Sequence, residues 1–417
     1  MSAPPAHPSP SPSGLSAYRA ALTAPGASAP ALFSAVGRLP VAMYGLAILL
    51  YVQGTTGSFA TAGLVSAGSL VGVAVGSVVQ GRWMDRHGPT LPLLVVAVLF
   101  ALAVTAMIAA VEAGAATAVL VAAAVAAGAT QPALPGASRG LWGRLVPSGP
   151  RRAAAYNYEA ISMEVFFVVG PALAVFLVGA PWPGTALLVA ASATVVGAVG
   201  FASTTAARGT RATPARSGAG PLGALARPGV RTVALAGLGF GLVVGGVEVG
   251  VPALTAATGS RVLGGVLISA WSVVSVFAGL VYALRPWPEP LHRRLPVLLG
   301  AFGLLVAAMA PAGASGSLLA LTAVMLVAGA VITPQMTGQS LALEAVAAPG
   351  TATEAFGWVV TAITMGVAAG QSAAGWAVET AGPPAAFLAS GLAGLVLAVV
   401  LWLRRATLVP TSHAVPT

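Results

Sequence analysis

From about residue 31 to 403 the chain alternates long apolar runs with short polar turns. Crossing the roughly 30 Å hydrocarbon core of a bilayer takes about 20 helical residues, and run after run reaches that length. The pattern predicts helices over 31–53, 59–80, 90–111, 115–137, 157–179 and 184–204. A second set is predicted over 232–256, 262–284, 295–311, 316–339, 355–377 and 383–403. Twelve membrane-crossing helices are therefore expected. Segments such as Leu93 to Ala110 are apolar on every face, so the alternation of a transmembrane barrel is missing, and helices are the other way to satisfy the backbone inside lipid. Residues 1–30 are rich in proline, alanine and serine and lack the charged start, apolar core and cleavage site of a signal peptide. They are expected to form a disordered tail.

Composition agrees with an all-α membrane protein. Of 417 residues, 57% are hydrophobic and only 7% charged, against about 25% charged in soluble domains. An ordinary soluble enzyme, a secreted disulfide scaffold and a disordered regulator are excluded. Cysteine is absent, which removes thiolate chemistry and zinc–thiolate sites. The net charge of +10 comes from 19 basic residues, all arginine. They sit in short turns and never build a continuous basic helix, so nucleic acid is not an expected partner.

Their placement orients the chain. With both termini inside, 17 of the 19 arginines fall in internal loops or tails; Arg261 alone lies outside, and Arg38 lies within the first span. The expected location is the plasma membrane. The expected domains are a six-helix bundle over 31–204, a cytoplasmic linker over 205–231 carrying five arginines, a second bundle over 232–403, and a tail over 404–417.

The chain also repeats itself. Pro132, Gly136, Ser138, Leu141 and Pro147 match Pro334, Gly338, Ser340, Leu343 and Pro349 at an offset of 202. Ser66, Ala67, Ser69 and Gly76 match Ser269, Ala270, Ser272 and Gly279 at an offset of 203. Two parallel six-helix halves related by a pseudo-twofold axis along the membrane normal, with a cavity between them, follow from such a duplication.

Between the second and third spans lies Gly81-Arg82-Trp83-Met84-Asp85-Arg86-His87-Gly88-Pro89. It resembles the loop signature of the major facilitator superfamily: glycine, three residues, Asp-Arg, one residue, glycine. With twelve spans and six-plus-six duplication, the resemblance covers essentially 31–405. It implies a transporter working by alternating access, in which Gly81, Asp85, Arg86 and Gly88 latch the halves against the start of helix 11, around Thr353 and Glu354. Two departures stand out. Pro89 and Thr90 replace the usual basic residues, and the matching acid position in the second half is Pro288, with only Arg285 matching Arg82. Gly170-Pro171 in helix 5 resembles the glycine-proline pair of an exporter motif, with Phe166 and Val175 where glycine is preferred, and proline there can bend the helix. Gly366, Gly370 and Gly375 in helix 11 read as close-packing positions.

Ionisable groups at membrane depth are costly and usually face a cavity or a partner. Glu248, among small neighbours in helix 7, is the first candidate for a proton or substrate site; the alternative is a structural carboxyl. Glu164 in helix 5 lies beyond Glu159, and Arg139 is placed to pair with either, as a structural ion pair or a relay. Arg38 either snorkels to the inner surface or faces the cavity and meets an acidic substrate or a carboxylate. Gln53, Gln131, Gln335, Gln339, Gln371 and Asn157 are further hydrogen-bonding candidates, while Trp271 and Phe240 either line an apolar site or simply pack.

No histidine, serine or acid pattern builds a catalytic or metal site, and no phosphate-binding loop is present, so neither cofactor nor enzymatic activity is expected. The reading is a monomeric transporter in the lipid bilayer that exports a small, largely apolar molecule in exchange for protons. Proton-coupled uptake and a transport-inactive sensor or scaffold are the alternatives.

Overall fold

The computed structural model describes residues 15–178, 180–210, 222–257, 259, 261–284, 287 and 290–409. The first half comprises α2 (Ser28–Thr56), α3 (Phe59–His87), α4 (Thr90–Glu112), α5 (Thr117–Thr130), α6 (Leu134–Leu145), α7 (Pro150–Val178) and α8 (Thr185–Ser203). It is preceded by a short α1 (Leu15–Leu22) and followed by α9 (Thr205–Arg208). The second half comprises α10 (Pro228–Ala257), α11 (Arg261–Leu284), α12 (Leu291–Ala314), α13 (Leu318–Gly329), α14 (Ile332–Val346), α15 (Ala352–Ala381) and α16 (Pro383–Leu403).

Among the described residues, 11 helical spans are long and apolar enough to cross a membrane, with α5–α6 and α13–α14 each forming one span. The remaining member of the twelve is α7, 29 residues long, whose first half carries Arg151, Arg152, Glu159 and Glu164. The helices thus fall where the hydropathy pattern puts them, and the two halves are duplicated bundles.

Three sequence expectations need correction. Residues 15–30 are not disordered: α1 occupies Leu15–Leu22 and α2 already begins at Ser28. The fourth and tenth spans are not continuous but break between α5 and α6 and between α13 and α14. Proline at 132 cannot donate a backbone hydrogen bond, and Gln80 of α3 repairs the first break. Its Nε2 donates to the carbonyls of Ala129 (3.0 Å) and Gln131 (2.9 Å), and its Oε1 accepts from the Ala133 amide at 2.9 Å. Gly375 has open space where a Cβ would stand, whereas a Cβ at Gly366 or Gly370 would meet the backbone of α10 at Leu238 or Leu242. Reciprocally, Gly241 and Gly245 abut the α15 carbonyls of Ile363 and Val367. Small residues on both sides let α10 and α15 approach closely, the usual route to tight packing without a hydrophobic drive inside lipid.

Phe302 anchors the interior of the second half. Its ring stacks with Trp271 at a centroid distance of 6.1 Å and tilts against Phe240 at 5.6 Å, so these aromatic candidates pack against each other. Positions 211–221, 285 and 288 lie outside the described residues, including the middle of the linker and the second-half counterpart of the loop signature.

Candidate functional site

The halves meet along two seams, α3 against α15, and α7 against α11 and α14. The first is built by the loop signature. Helix α15 starts without a side-chain cap of its own, because Thr351 bonds back to the Ala348 carbonyl at 2.9 Å. The exposed amides of its first turn are instead taken by Asp85 from the other half: Oδ1 accepts from the Thr353 amide at 3.0 Å and Oδ2 from the Glu354 amide at 2.7 Å. A carboxylate at a helix start satisfies orphan donors and faces the positive end of the helix dipole. Asp85 therefore caps α15 across the seam.

Glycine permits that approach. A Cβ at Gly81 would stand 2.7 Å from the Thr353 carbonyl oxygen and 2.8 Å from the Glu354 Cα, closer than real contacts allow. Gly88 ends α3 with φ +77°, in the region that L side chains rarely adopt. Deeper along the seam, Thr361 donates to the Ala74 carbonyl at 2.6 Å, and the Ser77 hydroxyl lies 3.3 Å from both the Gly357 carbonyl and the Thr361 hydroxyl.

The arginine that joins this contact is Arg82. Its Nη2 lies 2.8 Å from Glu354 Oε1, and the same oxygen accepts from the Ala224 amide of the linker at 3.1 Å. Arg86, expected from the signature to take part, is exposed and makes no bond among the described residues. It follows Asp85 directly in the helix, so it points away from the seam that Asp85 faces.

The second seam centres on α7. Asn157 donates from Nδ2 to the Gly279 carbonyl of α11 at 2.8 Å and accepts at Oδ1 from the Thr337 hydroxyl of α14 at 3.0 Å. Arg152 pairs with Glu344 of α14 and also holds the Gly143 and Val146 carbonyls at the end of α6. Glu164, buried on α7, lies within hydrogen-bonding reach of Ser272 on α11. Every inter-half bond named here falls between the Asp85 end and the middle of the helices. A cavity of about 430 Å³ also opens at that end, lined by Asp85, Arg139, Tyr156, Glu344, Thr353 and Phe356 among others.

Inside the first half, Arg38 does not snorkel. Both it and Glu159 are fully buried, and Nη1 lies 2.6 Å from Glu159 Oε2. That approach is not aligned as a hydrogen bond, and the aligned bonds go elsewhere. Arg38 donates to the carbonyls of Ser34 (3.2 Å) and Glu159 (3.3 Å), while Glu159 Oε1 accepts from Ser138 (2.6 Å) and Trp142 (2.9 Å). With Glu159 thus occupied, Arg139 pairs with neither glutamate proposed for it. Its guanidinium lies over the Phe356 ring of α15, 5.8 Å from the centroid, a cation–π contact across the seam.

Glu248 stays within its own half. It is partly buried and accepts from Gln371 Nε2 of α15 at 2.9 Å. Gly170 provides close packing of α7 on α2, where a Cβ would stand 3.0 Å from the Ala42 Cβ. Helix α7 runs unbroken through Gly170 and Pro171. Sequence reasoning missed Gln80, Arg82 and the double role of Asn157. The proline at 132 was the one signal pointing to the first of these.

A family model, the Major Facilitator Superfamily, matches residues 31–354. The chain belongs to that superfamily. No curated protein is matched. Among solved structures, the human organic anion transporter MFSD10 superposes with a TM-score of 0.70 at 16% identity, covering 92% of this chain and 99% of that one. A bacterial homologue of the iron transporter ferroportin in an outward-facing state gives 0.71 at 14% identity, covering 91% and 98%. The E. coli fucose:proton symporter FucP gives 0.67 at 15% identity, again covering 91% and 98%. At these identities the likeness is one of fold. Superfamily membership makes the chain a multi-pass membrane protein of secondary transport.

Proposed function

We propose that the protein is a proton-coupled exporter of a small, largely apolar molecule in the plasma membrane, with the Asp85 end and both termini facing the cytosol. The observation that carries the coupling is Glu164. It is a buried carboxyl on the α7–α11 seam with no ion pair among the described residues, so a proton is the natural means of neutralising it in a low-dielectric interior. Opening the seam exposes it to water on one side and closing it removes that access, which is what exchange of a proton against a solute requires. The other deep charges of the first half are engaged: Arg38 with Glu159, and Arg139 with Phe356. A weakly charged solute fits that interior better than a polyanion. Asp85 and its amide partners serve as the latch of the state closed to the cytosol.

The test is flux in sealed vesicles with an imposed pH gradient, screened over a panel of apolar and weakly charged compounds. Glu164→Gln is expected to abolish dependence on the gradient while leaving solute binding in place. Unchanged gradient dependence in that variant rejects the assignment, and its loss in Glu248→Gln alone moves coupling to the second half. The sign of the flux relative to the gradient separates export from uptake.

A further inference from the structure

Helix α1 has only eight residues, too few to persist in water without tertiary contacts. It is held by docking on α7. Ala17 and Ala21, one turn apart, are buried, Tyr18 and Leu22 are partly buried beside them, and Ser16, Arg19 and Thr23 face outward. The hydroxyl of Tyr18 accepts a hydrogen bond from Nδ2 of Asn157, the residue that binds both α11 and α14 across the second seam.

An asparagine amide has two N–H donors. In the closed seam one serves Gly279 and the other serves Tyr18, and Asn157 is almost completely buried. The Gly279 carbonyl, which can only accept, fixes which way round the amide sits, with Oδ1 toward Thr337, and Tyr18 takes the N–H that remains. Burial pushes the Tyr18 hydroxyl up to about 12, so it remains a neutral partner. If the hydroxyl is removed, the second N–H is stranded only while the seam is shut; once the halves part, water satisfies it. The loss therefore falls on the closed state alone, which is the condition for shifting an equilibrium between two states.

We propose that Tyr18, on a helix ahead of the first span, is a positioning residue of the gate: through Asn157 it sets how firmly the two halves close at the Asp85 end. The inference rests on the alternating-access reading above, but its test needs no substrate and so fails or succeeds apart from it. The chain has no native cysteine, so Ile161→Cys gives a clean reporter. Ile161 lies on α7 in the same seam, where a Cβ at Gly279 of α11 would come within 2.9 Å of it.

The full chain in vesicles is labelled with a membrane-impermeant maleimide from the Asp85 side. One lost hydrogen bond is expected to raise the labelling rate about five-fold in Tyr18→Phe, which keeps the ring and its packing, and further in Tyr18→Ala. In an Asn157→Ala background the Tyr18→Phe change is expected to have no additional effect, because the two act as one unit. Equal labelling of parent and Tyr18→Phe, with or without a fall in thermal stability, would assign α1 a merely structural role and overturn the proposal. Additive effects in the double variant would overturn the route through Asn157.

Discussion

The two halves share an architecture and differ in what fills it. The first keeps charge inside: Arg38, Glu159, Ser138 and Trp142 form a buried polar knot joining α2, α6 and α7, and Gln80 repairs the break between α5 and α6. The second is filled by the Phe240–Phe302–Trp271 stack and by glycines interlocking α10 with α15. At the repeat offset of 203, the counterpart of Gln80 is Ala283. The second half also buries polar groups, Gln335, Gln339 and the Ser275–Thr333 pair among them, but among the described residues no ion pair of its own, so the duplicated fold does not demand a buried ion pair in each half. What the polar version adds is directionality: a carboxylate with one cation and two donors accepts only one arrangement of three helices, whereas apolar faces tolerate small slides.

The largest expected effect breaks this contrast at its centre. Arg38→Gln removes the cation that touches the Glu159 carboxylate, leaving the buried Arg139 as the positive charge still acting on it, and should cost about 3 kcal/mol, read as a drop in thermal unfolding temperature and in membrane yield. Replacing both partners, Arg38→Met with Glu159→Leu, should restore most of that loss, since an apolar pair of similar volume is often no worse than a buried ion pair. If the double variant is as unstable as the single one, the knot does more than fill space.

A smaller effect is expected where the halves touch. Asp85→Ala uncaps α15 from across the seam and should weaken the closed state by about 1–2 kcal/mol, with Asp85→Asn keeping one of the two acceptor oxygens and therefore only part of the cap. Opening, read by cysteine labelling along α3 and α15, should rise while insertion into the membrane is unchanged. Normal flux and normal labelling in Asp85→Ala would remove the latch from the account. The smallest effect is expected at Arg86. Arg86→Ala should change stability and flux by no more than about 0.5 kcal/mol equivalent, because the side chain is exposed and makes no hydrogen bond or ion pair among the described residues, whereas Arg82→Ala breaks the bond to Glu354. Equal effects at the two positions would show that the arginine roles are wrongly divided.

The spans were legible because length and uniform apolarity are properties of single segments, and the Asp85 contact because a local motif carries it. What escaped notice depends on distant residues meeting. Nothing local joins Arg38 to Glu159, 121 positions away, so the sequence left snorkelling and pairing with a carboxylate both open and could not name the partner. The signature drew attention to the arginine beside the aspartate, while helix geometry turned the earlier one, Arg82, toward Glu354. Helix α1 is short, and its alanines give a weak hydrophobic signal within a proline-rich stretch; only docking on α7 makes it a helix. Pro132 reads in the sequence only as part of the repeat, within a continuous span over 115–137, and the glutamine that mends the break there lies on another helix.

Asp85 grips two peptide N–H groups, with the Thr353 side chain as an added partner. A lock whose keyhole is mostly main chain depends little on which amino acid stands at 353 or 354, so drift at those positions leaves the two backbone bonds of this grip intact. Proline is the exception, since it alone deletes the proton being held. The aspartate is thus bound to a shape that nearly every sequence can present, and its own identity is the side of the contact left open to loss.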